Sequence, residues 1–116
     1  MSSISIDISD DRDHGLLVGR LDGEIVGFIQ YFVLAEPERA LVPVHTVVEP
    51  EHAGNGYAGA LARELYRTAA REGIAVAPLC PYVVKWQARH PEEAPAVGRE
   101  LLDAAEAAFA ADPARW

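Results

Sequence analysis

Residues Glu49 to Ala62 read EPEHAGNGYAGALA. Gly54, Gly56 and Gly59 form G-x-G-x-x-G, the spacing of a dinucleotide-binding turn. The flanks decide what the spacing means. Before it lies ALVPVHTVV, Ala40 to Val48, a β-branched run that reads as a strand. After it, Ala58, Leu61, Ala62, Leu65 and Ala69 recur at helical spacing, with Arg63, Arg67 and Arg71 on the opposite side. The spacing therefore predicts a strand, a glycine turn and a helix from about Tyr57 to Glu72, closed by Gly73.

A dinucleotide fold needs an acidic residue about 20 positions on, at the end of the next strand. That strand is IAVAPLC, ending in Leu79 and Cys80, and it carries no acid. No Gly-Lys-Ser/Thr follows the glycines, so a Walker A loop is also excluded. What remains is a helix N-terminus whose unpaired backbone N–H groups suit an anion such as a phosphate. The alternative is a turn that only leads into the helix.

The rest of the chain supplies the frame. Ile4, Ile6 and Ile8 alternate with polar residues, as in a half-buried strand. After the polar DDRD, a second strand is read from His14 to Leu21, and Asp22-Gly23 turns it into a third, Glu24 to Leu34. Pro43 inside the fourth strand implies an edge position or a bulge. A fifth strand covers Ile74 to Leu79. Cys80-Pro81 reads as a helix start, with a short helix from Tyr82 to Arg89 stopped by His90-Pro91. A last helix is expected from about Pro95 to Ala111, with Val97, Leu101, Leu102, Ala105 and Phe109 on one stripe. The order β-β-β-β-α-β-α-α gives an α+β class with a mixed, mostly antiparallel sheet of about five strands, one βαβ crossover and helices packed on it.

Length allows one domain, 1–116, with a core of about 1–93 and the Ala-rich helix beyond it. The net charge of −8 argues against nucleic acid as a partner and suits an amine. The single cysteine, Cys80, permits no internal disulfide and fits a cytoplasmic location. No apolar run is long enough for a membrane span. The four histidines have no metal-ligand spacing, so no metal is expected.

The stretch Val48, Pro50, Gly54, Gly56, Ala58 and Leu61, V-x-P-x-x-x-G-x-G-x-A-x-x-L, resembles the acetyl-CoA loop of the GNAT-type N-acetyltransferases. HTVVEPEHAGNGYAGAL together with PLCPYVVKWQARHPE is similar to the small, single-domain N-acetyltransferase-domain-containing branch. The resemblance covers Val44 to Glu92 well and matches earlier residues mainly in strand order. It implies acetyl transfer from acetyl-CoA, the cosubstrate, to an amine acceptor, small or on a protein. The alternative is an acyl-CoA-binding or regulatory module without efficient transfer. A monomer or weak homodimer is expected in either case. The pantetheine arm is implied to pair with backbone groups of Thr46, Val47 and Val48. The pyrophosphate is implied to lie over Ala53, Gly54, Asn55, Gly56, Tyr57 and Ala58. Ala53 departs from the Gln or Arg usual in the family, so binding would rest on backbone N–H groups.

Three residues are candidates for chemistry. His45 and Cys80 end up on neighbouring strands and are read either as a reactive pair, with His45 a general base or Cys80 an acetyl acceptor, or as a packed histidine and a buried thiol. Tyr82 is read as a general acid to the leaving thiolate, or as a packed aromatic.

Overall fold

The computed structural model describes residues 6–111. Ile4 lies outside them. Five strands, β1 (Asp7–Asp11), β2 (Leu16–Leu21), β3 (Glu24–Leu34), β4 (Ala40–Val48) and β5 (Ala75–Val76), form one sheet in the order β1-β2-β3-β4-β5. The first four pair antiparallel, and β5 runs parallel to β4. That arrangement follows from the connections: short turns join β1 to β4, and only a helix long enough for a crossover separates β4 from β5. Three helices complete the fold: α1 (Tyr57–Glu72), α2 (Pro81–Arg89) and α3 (Arg99–Ala111).

Strand alternation sends Leu17, Ile29, Tyr31 and Leu41 to one sheet face. There they meet Leu61, Ala62, Leu65 and Ala69 of α1 and Val83 and Trp86 of α2. Phe32, Leu34, Val42 and Val44 go to the opposite face and meet Leu101 and Ala105 of α3. Truncating a fully buried leucine such as Leu61 is expected to destabilise by roughly 2–5 kcal/mol. The stripe of the last helix thus belongs to the second core.

Several element ends differ from the sequence reading. The polar DDRD is only partly a turn. Asp10 and Asp11 pair with Leu17 and Leu16, because an edge strand can point carboxylates at solvent. The last helix starts at Arg99 and not near Pro95: Gly98 supplies its first carbonyl, accepting from Leu102. The fifth strand pairs over only two residues.

Pro43 explains that short pairing. The proline is not on an edge strand, since β4 lies between β3 and β5. It sits at a bulge: Tyr31 pairs with Pro43 and Gln30 with His45, so Val44 is the extra residue. The Ala77 N–H donates to the Leu41 carbonyl at 2.9 Å. The reciprocal bond to the Ala77 carbonyl requires an N–H that Pro43 lacks. The regular ladder is interrupted there, and the last bond of that pattern is from the Leu79 N–H to the Pro43 carbonyl, at 3.1 Å.

At the opposite end of the sheet, Arg12 ties the β1–β2 turn to the end of α1. Its guanidinium donates to Glu72 at 2.6 and 3.1 Å and to Tyr31 Oη at 2.9 Å. The Tyr31 hydroxyl donates to Asp10. The Arg12 bond, partly opposed by desolvation, lowers the Glu72 carboxyl below its ordinary 4.5. A lowered folded-state value means the stabilisation is fully present above the ordinary value and is lost as pH falls through the folded value. Glu72→Gln is therefore expected to reduce stability near neutral pH by less than about 1 kcal/mol, because the pair is partly exposed. Its difference from the parent should shrink below pH 4.5 in urea melts run as a pH series.

Candidate active site

The glycine loop follows β4 through a single 3-10 turn, Pro50–His52. Gly54 and Gly56 have φ of +86° and +80°. Only glycine adopts these angles without strain, and a side chain at either would meet nothing within 4 Å. The requirement is conformational, and the backbone there is open to an approaching ligand. Gly56 caps α1 in the left-handed conformation, with no side chain bonded to the helix N-terminus. The first helical bond is from the Ala60 N–H to the Gly56 carbonyl, at 3.1 Å. The N–H groups of Tyr57, Ala58 and Gly59 are thus left without a helical acceptor. The first turn carries no acid, so nothing local opposes the positive end of the helix dipole.

Beyond Pro43, β4 has no strand on its β5 side among the described residues. The Glu49 N–H donates to the Val26 carbonyl on β3 at 2.9 Å. By alternation, the amides of Thr46 and Val48 point away from β3, to the open edge. The Pro43 carbonyl accepts from both Leu79 N–H (3.1 Å) and Cys80 N–H (3.0 Å). That double acceptor pins the start of α2 at the fork between β4 and the chain leaving β5. Cys80 is the N-cap of α2 and Pro81 its first residue, but the thiol caps nothing. Cys80 Sγ instead meets Thr46 Oγ1 at 3.2 Å.

His45 is not in that contact. The bulge at Val44 sets its direction: His45 pairs with Gln30, on the Phe32 side of the sheet, whereas Thr46 pairs with Ile29, on the α1 side. His45 is exposed and Cys80 buried. The two residues read as a pair lie on opposite sheet faces. Thr46, read only as a backbone donor, supplies the side chain that Cys80 contacts. The signal for it was the same proline, since a bulge shifts side-chain parity by one.

Tyr82 lies on the first turn of α2. A Cβ placed on Gly59 would stand 3.5 Å from the Tyr82 hydroxyl and 3.5 Å from Trp86 Nε1. The phenol therefore lies against the first turn of α1 at Gly59. Burial raises its pKa, partly opposed by Arg89, so it stays a neutral proton donor at physiological pH. Among the other histidines, His14 contacts Asp11 at 2.9 Å, and His90 stacks on Trp86 at 4.1 Å between ring centroids. His52 meets Tyr57 with centroids 6.0 Å apart. Among the described residues no group of three His, Cys, Asp or Glu is placed to hold a metal, and no helix is long and apolar enough to cross a membrane.

The sheet, the uncapped helix and the fork coincide with a family match. A model described as GCN5-related N-acetyl-transferase matches residues 18–96, more than half of the chain. The chain belongs to the GCN5-related N-acetyltransferase family. Among solved structures, a ribosomal-protein-alanine N-acetyltransferase from Brucella melitensis biovar Abortus 2308 is similar, with a TM-score of 0.56 and 30% sequence identity. The alignment covers 72% of this chain and 62% of the neighbour, so this family member spans under two thirds of that chain. No curated protein sequence matches.

Within this family member, the two glycine classes separate experimentally. Gly56→Ala forces a left-handed alanine and should cost about 1–2 kcal/mol. Gly59→Ala fits at ordinary contact distance and should stabilise by up to about 1 kcal/mol through helix propensity. Denaturant melts of the two variants check both signs. The buried thiol gives a second test. Native Cys80 should react with a thiol reagent far more slowly than in the unfolded chain, and Thr46→Ala should speed the reaction. Equal rates in native and unfolded protein would contradict the burial.

Proposed function

We propose that this domain binds acetyl-CoA across the α1 N-terminus and the open edge of β4, and transfers the acetyl group to an amine. One observation carries the reading: the uncapped first turn of α1 and the unpaired second half of β4 lie on either side of one glycine loop. The first suits a pyrophosphate, held by backbone N–H groups around Gly54 to Ala58. The second suits an extended, amide-bearing arm that pairs with Thr46 and Val48 as an added strand would.

The chemistry then runs as a direct displacement. A neutral amine attacks the thioester carbonyl at the fork. An outward backbone N–H near Thr46 holds the carbonyl oxygen as it gains charge. The C–S bond breaks, and the Tyr82 hydroxyl protonates the departing thiolate. The acceptor amine gives up its proton to solvent or to an exposed base. Cys80 is turned to Thr46, and this supports direct transfer over an acetyl-cysteine intermediate. The similar Brucella protein is named for alanine on a ribosomal protein, so a protein N-terminus joins small amines as a class of acceptor to assay.

A second reading is a CoA-binding module without efficient transfer. Ala53, which offers no side-chain donor, and the separation of His45 from Cys80 favour it. The readings part in one experiment. Acetyl-CoA should raise the melting temperature, while acetyl-pantetheine, which lacks the pyrophosphate, should raise it far less. With an amine panel, free CoA should then appear, and Tyr82→Phe should lower kcat by about a hundredfold with little change in KM for acetyl-CoA. A thermal shift with no product selects the module. No shift with acetyl-CoA rejects both.

A further inference from the structure

Trp86 of α2 carries a donor that the fold does not use. The residue is 5% exposed. Its ring is clamped by His90, with centroids 4.1 Å apart, and by Tyr66 at 5.9 Å, and Arg63 Cζ stands 5.4 Å from its centre. A tryptophan buried to this degree normally gives its N–H to an acceptor. Among the described residues Nε1 makes no hydrogen bond; the bonds at Trp86 are those of its backbone. Nor is the atom sealed. Tyr66 Oη is the one fully buried side-chain N or O atom without a partner among the described residues, so the Trp86 N–H reaches the surface.

It reaches the surface beside the first turn of α1. Nε1 stands 3.5 Å from a Cβ built on Gly59, and Cδ1 4.0 Å, so the N–H edge of the indole faces the helix. A Cβ lies about 2.5 Å from its own nitrogen, which puts Nε1 within roughly 6 Å of the Gly59 N–H. That N–H has no helical acceptor, and neither have those of Tyr57 and Ala58. A helical Cβ leans toward the helix N-terminus, so the indole edge lies on the side of the glycine loop. All four of these groups are N–H donors. The first turn of α1 has no acid, α2 carries Lys85 and Arg89 and no acid, and Glu93 is neutralised by Arg63 at 2.7 Å. An anion with several oxygens answers such a set. A tetrahedral phosphate, accepting at about 2.9 Å from each donor, spans the gap between the indole and the Gly59 amide.

We infer that the Trp86 indole N–H is a phosphate donor of the acetyl-CoA site, standing in for the side-chain donor that Ala53 lacks. The inference rests on the reading of the α1 N-terminus as the pyrophosphate site. It adds a donor from a second helix, so that the pyrophosphate is gripped from α2 as well as by the backbone of α1. The stack of His90 and Tyr66 on the ring fixes the donor before the ligand arrives, and little freedom is lost on binding.

The indole resonance reports this directly. The chain has two tryptophans, so Trp116→Phe identifies the signal of Trp86. Titrated into labelled protein, acetyl-CoA and ADP should each move the Trp86 indole N–H downfield, and acetyl-pantetheine should leave it in place. Trp86→Phe keeps a ring in the stack and removes the N–H. It should bind acetyl-CoA about tenfold more weakly and acetyl-pantetheine unchanged. Gly59→Ala, which leaves the indole in place and crowds the approach to it, should weaken acetyl-CoA by about threefold without lowering the melting temperature. Shifts at Gly54 to Ala58 with an unmoved indole would overturn the inference and leave the acetyl-CoA reading intact. So would an indole that moves equally with acetyl-pantetheine, or unchanged acetyl-CoA affinity in both variants. No shift anywhere would remove the acetyl-CoA reading and the inference with it.

Discussion

One missing hydrogen shapes this molecule. Pro43 occupies the middle of an interior strand and has no N–H to give to Ala77. In an ordinary parallel pair the ladder would continue and the sheet would close over the second half of β4. Here the ladder is interrupted, the Leu79 N–H makes one more bond to β4, and the chain then departs, so the outward amides of Thr46 and Val48 stay open. The bulge at Val44 adds local twist at the same point. Such a gap is not stable merely because it exists. It is held by the Pro43 carbonyl, which takes two N–H donors from Leu79 and Cys80. The same residue therefore opens the fork and anchors its far side.

The helices exploit that fork in opposite directions. α1 begins where the loop after β4 ends, and α2 begins where β5 departs. Neither N-terminus has a side-chain cap. Helices usually satisfy these donors with Ser, Thr, Asp or Asn, and each omission leaves part of the helix unstabilised. Two uncapped termini at the ends of one open strand edge form a surface of backbone donors. Cys80 fits this pattern. It occupies a capping position, yet its sulfur turns to Thr46, so the thiol fastens α2 to β4 without screening the N–H groups. That contact needs no reactive thiolate.

The sequence was most informative where local signals agreed. β3, β4 and α1 have the limits read from residue type alone, because β-branched alternation, helical spacing and the closing Gly73 all point one way. It was least informative where register decides. His45 and Cys80 sit on adjacent segments, and adjacency suggested contact. Contact depends on parity, and parity depends on one extra residue beside Pro43. The bulge was legible as a possibility in the proline; its location, and therefore which of His45 and Thr46 faces Cys80, required the pairing of Gln30 and Ile29. β1 failed for a different reason. Asp10 and Asp11 look like turn residues, but an edge strand tolerates them, and Asp10 gains Tyr31 and Arg12 as partners.

The net charge of −8 opposes an anionic ligand only if charge is treated as a single number. At physiological ionic strength the screening length is about 8 Å, so acids farther away than that act weakly on a bound phosphate. What counts is the first turn of α1, and no acid lies there. Glu51 lies in the preceding 3-10 turn, with the two left-handed glycines between it and the helix. A backbone site of this kind also differs from an arginine site. Its donors are fixed by the helix, carry no net charge, and lose no side-chain entropy on binding. In the proposed binding mode, the absence of a long donor at position 53 removes one contact and leaves the backbone donors in place. In the proposed binding mode, selectivity would fall on ligand shape: a pyrophosphate at the helix and an extended amide arm at the strand, with a spacing set by the loop from Glu49 to Gly56.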